Sequence, residues 1–203
     1  SSVLGFSVGG EPAKGWKIEE KTLEAIKKNS QSLKMVSEER IRDEFLKIIN
    51  SDRTVEGMEL LKETNLLPIF IPELAENYNI TQNKHHIYDA WQHALFSLQY
   101  TAKKKFNQNV RLAALFHDIA KPRVKKGEGQ DATFYGHEIV GAKMTRKIIE
   151  LLKFSKKDIE KVVTLVRYHL FYYNVDEVTE SSVRRLVKNV GPENMEELLQ
   201  VRQ

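Results

Sequence analysis

The sequence predicts an all-α protein. Apolar residues recur three and four positions apart in nearly every long segment, which is the spacing of one face of a helix. No window of four to eight residues alternates between apolar and polar side chains regularly enough to predict a strand. Helix-breaking residues such as Gly191-Pro192 separate the periodic segments. Together these observations favour helices packed around a shared core.

The periodic segments predict the helices in order along the chain. The predicted spans are 18–36, 37–51, 54–67, 87–103, 110–120, 136–152, 156–173 and a pair of short helices over 181–199. The second span begins at Ser37, which can cap it, and has an acidic first turn. Two prolines close the segment LLPIFIPEL, and the polar stretch 77–84 then predicts a seam in the fold.

Composition narrows the classes of protein and of ligand. The 203 residues are enough to bury a core, and the absence of cysteine leaves nitrogen and oxygen atoms to bind any metal. The 32 Lys+Arg exceed the 28 Asp+Glu by four, which is compatible with nucleic acid or phosphorylated ligands but does not require them. Apolar runs such as 66–72 are far shorter than the roughly 20 residues of a membrane span, so we expect a cytoplasmic protein.

The segment RLAALFHDIAKP, residues 111–122, carries the strongest chemical signal. Its apolar residues predict a buried helix, yet His117 and Asp118 lie side by side on it and Lys121 follows one turn later. Burying such groups costs several kcal/mol unless each has a partner. Other predicted helices offer three further histidines on or near buried faces: His93, His137 and His169.

Taken singly, each histidine is more often a core residue bonded to a backbone carbonyl. Taken together, imidazoles from four helices form the pattern with which helical bundles build metal sites. Imidazole and carboxylate donors suit Mn, Fe, Ni, Co or Zn, or Mg where carboxylate and water dominate. The ammonium of Lys121 can neutralise a phosphate oxygen. The combination predicts metal-assisted hydrolysis of a phosphate ester, with Asp118 and Lys121 as catalytic residues.

The ordered motifs resemble a known family. His93, then His117-Asp118 in LAALFHDIAKP, His137 in FYGHE and His169 in LVRYH resemble the HD superfamily of metal-dependent phosphohydrolases. The flanking segments IEEKTLEAIKKN, SEERIRDEFLKII, GMELLKETNLLPIFIPEL and HHIYDAWQH resemble the C-terminal half of bacterial tRNA nucleotidyltransferases and poly(A) polymerases, the CCA-adding family. The resemblance begins near Lys14 and covers nearly all of the remaining chain.

The resemblance implies an organisation and a set of roles. Residues 14–74 would be a helical neck that helps to hold tRNA, and 75–203 an HD domain. The sequence begins Ser1-Ser2 without methionine, so residues 1–13, which precede the resemblance, are expected to be a disordered or tag-like N-terminus. The implied metal ligands are His93, His117 and Asp118. His137 and His169 would hold a second metal or contact the phosphate. The neck motif would be Glu39, Arg40 and Glu44. The implied activities are phosphatase and 2′,3′-cyclic phosphodiesterase, acting on a phosphorylated small molecule or nucleotide.

Three features depart from the family pattern. The Gly-Ser turn followed by Asp-x-Asp of a nucleotidyltransferase head is missing, so we expect no nucleotide addition. Ala120 stands where the family usually has glycine. The sequence stops at LLQVRQ, just short of the final family aspartate, so we expect a truncated HD domain, with Asp176 as the nearest substitute ligand.

Two alternative functions remain open. The chain could be a non-catalytic tRNA-binding tail that keeps the HD residues as a polar core network. It could also be an HD hydrolase of free nucleotides, although the neck-like first third argues against that reading.

Overall fold

The computed structural model describes residues 19–81, 89–127, 131–171 and 179–201. Within these ranges the regular secondary structure is helical apart from one isolated antiparallel bridge, Lys126 to Thr133, which confirms the all-α prediction. None of the helices in the described part of the chain has the length and apolar character that a membrane span requires. The predicted N-terminal segment 1–13 lies outside the described residues.

Nine of the described α-helices follow the predicted order, and three single-turn helices, two in the proline-rich segment and one after the His-Asp pair, were not predicted. The described α-helices are α1 (Glu20–Asn29), α2 (Glu38–Asn50), α3 (Thr54–Glu63), α4 (Leu67–Phe70), α5 (Pro72–Ala75), α6 (Ala90–Lys103), α7 (Gln108–Phe116), α8 (Lys121–Val124), α9 (His137–Leu151), α10 (Lys156–Tyr168), α11 (Glu180–Val190) and α12 (Met195–Val201). Two 3₁₀ turns complete them, Ser30–Met35 after α1 and Pro192–Asn194 before α12. The predicted split at Gly191-Pro192 is confirmed.

Several helices begin where a polar side chain caps them. Asp89, Asn107, Ser155 and Thr179 each accept the backbone N–H three residues on, at the starts of α6, α7, α10 and α11. Ser37 occupies the N-cap position of α2 as predicted, but its side chain makes no capping hydrogen bond. Two acidic residues in the first turn of α2 still complement the helix dipole.

Two predicted helices in the first third of the chain are shorter than expected. The span 18–36 becomes α1 followed by a 3₁₀ turn. The span 54–67 ends at Glu63, because Asn65 adopts a left-handed conformation with φ of 59° and turns the chain into α4. The proline-rich segment after it forms two single-turn helices, each with proline at one of its first two positions.

The predicted helix 110–120 also ends early, at Phe116. Pro122 explains this ending, since proline has no N–H for the carbonyl of Asp118 and its ring clashes with that carbonyl in a continuous helix. The chain instead makes a tight turn, with Ile119 N–H bonded to Phe116 O and Lys121 N–H bonded to Asp118 O. His117 and Asp118 therefore lie in a turn between α7 and α8, not on a helix face.

One apolar cluster forms the core of the described residues. It runs from Phe45 in α2 to Val201 in α12, with α7 at its centre in contact with α2, α6, α10 and α12. Every residue from Val110 to Phe116 is buried. The cluster is continuous across residue 75, so the division there into a neck and an HD domain stays a prediction.

Arg111 joins the helix ends around α7. Its side chain is buried and its guanidinium donates to backbone carbonyls at the end of α2, at the end of α6 and before α7: Ile49, Ser51, Ala102 and Phe106. A cation at the C-terminal ends of two helices is favourable because their dipoles place negative charge there. Arg111 thereby fixes α7, and with it the turn that carries His117 and Asp118.

Candidate metal centre

Helix ends and turns bring the predicted site residues together. His93 projects from α6, and His117 and Asp118 lie in the turn after α7. Lys121 and His137 are the first residues of α8 and α9, and His169 follows the last residue of α10. All are buried except His93, which is partly exposed.

Three ligand atoms form a nearly equilateral triangle. His93 Nε2 lies 3.1 Å from His117 Nε2 and 3.3 Å from Asp118 Oδ2, and His117 Nε2 lies 3.2 Å from the same oxygen. Donors about 2.1 Å from an ion lie about 3.0 Å apart in octahedral geometry and about 3.4 Å apart in tetrahedral geometry. The edges of this triangle fall between those two values, so the donor set fits a first-row divalent ion or Mg²⁺.

The other oxygen of Asp118 faces a second pair of imidazoles. His137 Nε2 lies 3.1 Å from Asp118 Oδ1 and 3.3 Å from His169 Nε2, while His169 Nε2 lies 3.8 Å from Oδ1. The two triangles share one carboxylate, each through a different oxygen. A carboxylate in this position can bind one ion or bridge two.

Backbone carbonyls set the orientation of three imidazoles. The Nδ1 atoms of His117, His137 and His169 lie 2.7–2.8 Å from the carbonyl oxygens of Ala114, Phe134 and Val166, each three residues earlier. A carbonyl only accepts, so each Nδ1 carries the proton, and in the neutral ring each Nε2 is left with a lone pair. This arrangement is typical of metal-ligating histidines, whose other nitrogen is held by an acceptor.

When the rings are neutral, the Nε2 atoms of His117, His137 and His169 and the carboxylate oxygens of Asp118 are all acceptors. Acceptors at 3.1–3.3 Å repel one another unless a proton or a cation lies between them. Burial opposes ionisation of Asp118, but the charge of His117 and hydrogen bonds from His117, His137 and His93 outweigh it and hold the Asp118 pKa well below its usual range. The centre is therefore built around a carboxylate that stays charged.

The two histidines of the second triangle differ in basicity. Burial lowers the pKa of His169 to about 3, with a further contribution from His117, so this ring is neutral at ordinary pH. Burial also opposes the charged form of His137, but the hydrogen bond to Asp118, the charge of Asp118 and the hydrogen bond to the Phe134 carbonyl together outweigh it and raise the His137 pKa. A neutral His169 is ready to act as a ligand without losing a proton first.

Lys121 brings a cation to the same carboxylate. Its Nζ lies 2.7 Å from Asp118 Oδ2, and both side chains are almost completely buried. A lysine on a metal-binding carboxylate can place its charge beside an anionic ligand of the same centre.

Comparison with known proteins identifies the family. The HD domain family matches residues 85–200, which is more than half of the chain and includes all the residues of both triangles. The chain belongs to the HD-domain family. Residues 15–78 match the family described as the probable RNA- and SrmB-binding site of polymerase A. The chain therefore corresponds to the neck and HD region of the CCA-adding family.

Curated relatives of this HD protein agree with that assignment. It is 32% identical to a CC-adding tRNA nucleotidyltransferase of Thermus thermophilus over 77% of its own length and 38% of that protein. It is 28% identical to an A-adding tRNA nucleotidyltransferase of Deinococcus radiodurans over 84% of its own length and 41% of that protein. It is 25% identical to a multifunctional CCA protein of Neisseria meningitidis over 92% of its own length and 46% of that protein. The chain spans less than half the length of these relatives.

The HD centre opens into a cavity of about 930 Å³. His93, His117, Asp118 and Lys121 line it on one side, and the start of α9 and the end of α10 line it elsewhere. The cavity is large enough to enclose a small-molecule ligand in contact with the centre.

The remaining predicted residues lie elsewhere. Glu39, Arg40 and Glu44 are on α2, where Glu44 accepts a hydrogen bond of 2.7 Å from Lys47, and Arg40 and Glu44 line a separate groove. Asp176 lies outside the described residues, so its predicted ligand role stays a prediction.

Sequence reasoning missed two parts of the HD centre. The carbonyls of Ala114, Phe134 and Val166 are backbone atoms, and the residue type at these positions does not reveal them. Arg167 and Tyr168 line the cavity at the end of α10, although a single sequence gives them the appearance of ordinary residues on an amphipathic helix. Their position immediately before His169 was the available signal.

Proposed function

We propose that the protein is a divalent-metal-dependent phosphohydrolase that acts on phosphomonoesters or 2′,3′-cyclic phosphodiesters. The near-equilateral triangle of His93 Nε2, His117 Nε2 and Asp118 Oδ2 carries the proposal, because its edges of 3.1–3.3 Å match the spacing of donors on one ion. Its other support is membership of the HD-domain family. Manganese, iron, nickel, cobalt and zinc accept this nitrogen and oxygen donor set, whereas magnesium would bind chiefly through the Asp118 carboxylate and water.

The side chains of the centre divide the work in this proposal. His93, His117 and Asp118 hold the ion, and His137 and His169 hold a second ion or contact the phosphate. A bound divalent ion lowers the pKa of a coordinated water and polarises the phosphoryl group. Lys121 offers its charge to the phosphoryl oxygens as negative charge accumulates on them. The carbonyls of Ala114, Phe134 and Val166 keep three rings in the tautomer that presents Nε2 to the cavity.

The test of this proposal is hydrolysis by the metal-loaded protein. Protein loaded with Mn²⁺, Ni²⁺, Co²⁺ or Mg²⁺ should hydrolyse the phosphomonoester p-nitrophenyl phosphate or the cyclic diester adenosine 2′,3′-cyclic phosphate. His117→Ala and Asp118→Ala should each lower kcat/KM by a hundredfold or more, because each removes a donor from the triangle. Arg146→Ala, at an exposed ion pair with Glu160, is the matched control and should retain activity. Unchanged hydrolysis in both site variants would refute the proposal.

RNA binding is a second candidate function. The match of residues 15–78 to an RNA-binding family supports it, as do relatives named for tRNA nucleotidyl transfer. On this proposal the neck, 14–74, with Glu39, Arg40 and Glu44, contributes the tRNA contacts, and residues 75–203 form the HD domain. Binding of tRNA should weaken steeply as salt increases, since phosphate contacts release counterions. Affinity for tRNA that is insensitive to salt would contradict this role.

A further inference from the structure

The cavity is larger than one phosphoryl group requires. Its volume of about 930 Å³ lies in the range of roughly 300–1,000 Å³ that encloses whole small-molecule ligands. Beyond the histidines its walls are largely apolar and aromatic, including Phe134, Tyr168 and Phe171. The cavity therefore has room along these walls for a second part of a ligand whose phosphate lies at the HD centre.

In that wall the guanidinium of Arg167 lies over the aromatic ring of Tyr168. The guanidinium carbon of Arg167 lies 5.3 Å from the centre of the Tyr168 ring, so the cation covers the aromatic face. Arg167 Nη1 lies 3.7 Å from Glu138 Oε1, at the start of α9. The Arg167 side chain is 39% exposed, so it also contacts solvent at the cavity.

This geometry favours a planar ligand over a second phosphate. The Glu138 carboxylate approaches the nitrogen edge of the guanidinium, where a phosphate would bind, and would repel a second anion there. The guanidinium face, backed by an aromatic ring, is the kind of surface on which nucleobases stack. Tyr135, which is 85% exposed and lines the same cavity, adds a second aromatic side chain near the start of α9.

We propose that Arg167, stacked on Tyr168, is a specificity-determining residue that binds the base of a nucleotide substrate whose phosphate lies at the HD centre. This inference rests on the proposed phosphohydrolase function. It predicts that the protein prefers nucleoside phosphates to phosphate esters that carry no base.

The test compares two cyclic diesters that share one reacting group. Adenosine 2′,3′-cyclic phosphate carries a base, whereas glycerol 1,2-cyclic phosphate does not. In Mn²⁺-loaded protein, Arg167→Ala should raise KM for the adenosine substrate about tenfold or more, the usual effect of losing a stacking partner. kcat/KM for the glycerol substrate should change less than twofold. Arg167→Lys keeps the positive charge but lacks the planar guanidinium group, so its effect on KM should resemble that of Arg167→Ala.

Arg146→Ala is the control for this comparison. Arg146 is exposed to a similar degree as Arg167, 36% against 39%, and is likewise paired with a glutamate, Glu160. Arg146→Ala should leave KM and kcat/KM unchanged for both substrates. An equal loss on both substrates in Arg167→Ala, or full rescue by Arg167→Lys, would overturn the base-binding role.

A binding measurement separates this inference from the proposed hydrolysis. Calorimetry with adenosine 2′-monophosphate and Mn²⁺-loaded protein should show the same weakening in Arg167→Ala, with unchanged bound metal. If neither diester is hydrolysed but this affinity falls in Arg167→Ala, the base-binding role is supported and the proposed hydrolysis is refuted. If wild-type protein hydrolyses both diesters with equal kcat/KM, the base-binding role is refuted and the proposed hydrolysis stands.

Discussion

At the scale of single residues, Asp118 determines the chemistry of the centre. Its two oxygens meet imidazole nitrogens from two triangles and the ammonium of Lys121. Three of the four rings are oriented by a carbonyl at Nδ1, so the Nε2 atoms that face Asp118 can be satisfied by a proton or a cation. A buried group in such surroundings is costly to alter, because each neighbour depends on its charge.

The pair of Asp118 and Lys121 should be strongly coupled in metal-free protein. Asp118→Asn leaves the Lys121 ammonium buried without this carboxylate and should lower the free energy of unfolding by about 3 kcal/mol. In a Lys121→Met background the same change should cost at least about 1 kcal/mol less, since no buried ammonium remains. Urea unfolding of the four chelator-treated proteins measures this difference. Strictly additive losses would show that the pair does not interact.

At the scale of elements, the HD centre depends on where helices end. His117 and His169 each follow the last residue of a helix and each bond to the carbonyl three residues earlier. Pro122 ends the helical path after α7, and Arg111 holds α7 against the ends of α2 and α6. Helix ends therefore present two of the imidazoles.

Replacing Arg111 tests how much its hydrogen bonds to the ends of α2 and α6 contribute to stability. Arg111→Met should lower the free energy of unfolding by about 3 kcal/mol, because it removes the guanidinium donor from the carbonyls of Ile49 and Phe106. For a chain of this size that corresponds to a fall in Tm of roughly 6–12 °C. Arg146→Met, which removes an exposed ion pair, should cost less than about 1 kcal/mol. Calorimetric melting measures both, and a similar small shift in each would contradict the role of Arg111.

The elements also show what the sequence could and could not predict. The helical periodicity was sufficient to predict the all-α class and the order of the longer helices, because a helix with one buried face needs apolar residues three and four positions apart. The early end of the helix at Phe116 was missed, although Pro122 is visible, because the apolar pattern continues through Ile119. The site histidines could be selected by type and order, whereas the carbonyls that orient them arise from the folded backbone.

At the scale of the whole molecule, the neck and the HD helices share one core. Trp91 on α6 donates a hydrogen bond of 3.0 Å to Glu59 on α3 and packs edge-to-face on Tyr78 at 4.9 Å. Lys62 on α3 lies over both rings. These contacts join the segment that matches the RNA-binding family to the segment that carries the HD centre.

The burial of Tyr78 beside Trp91 should make the free energy of unfolding depend on pH in the alkaline range. Burial raises the pKa of Tyr78 above its ordinary value, with a further contribution from Glu59. The folded protein therefore keeps this proton above pH 10, where the unfolded chain loses it, so stability should fall as pH rises beyond 10. The fall should reach up to about 1.4 kcal/mol per pH unit and should be absent in Tyr78→Phe. Urea unfolding between pH 9 and 11 measures it, and parallel curves for the two proteins would contradict the assignment.

Metal content is the most direct test of the central claim that His93, His117 and Asp118 hold a divalent ion. The measurement is elemental analysis after loading with Mn²⁺ or Zn²⁺ and exhaustive dialysis, for wild type, Asp118→Ala and the control Arg146→Ala. We predict at least one ion per chain in the wild type and the control, and a large loss in Asp118→Ala. If wild-type protein retains no metal, or Asp118→Ala retains as much as the wild type, the HD residues form a polar core network and the metal centre proposed here is wrong.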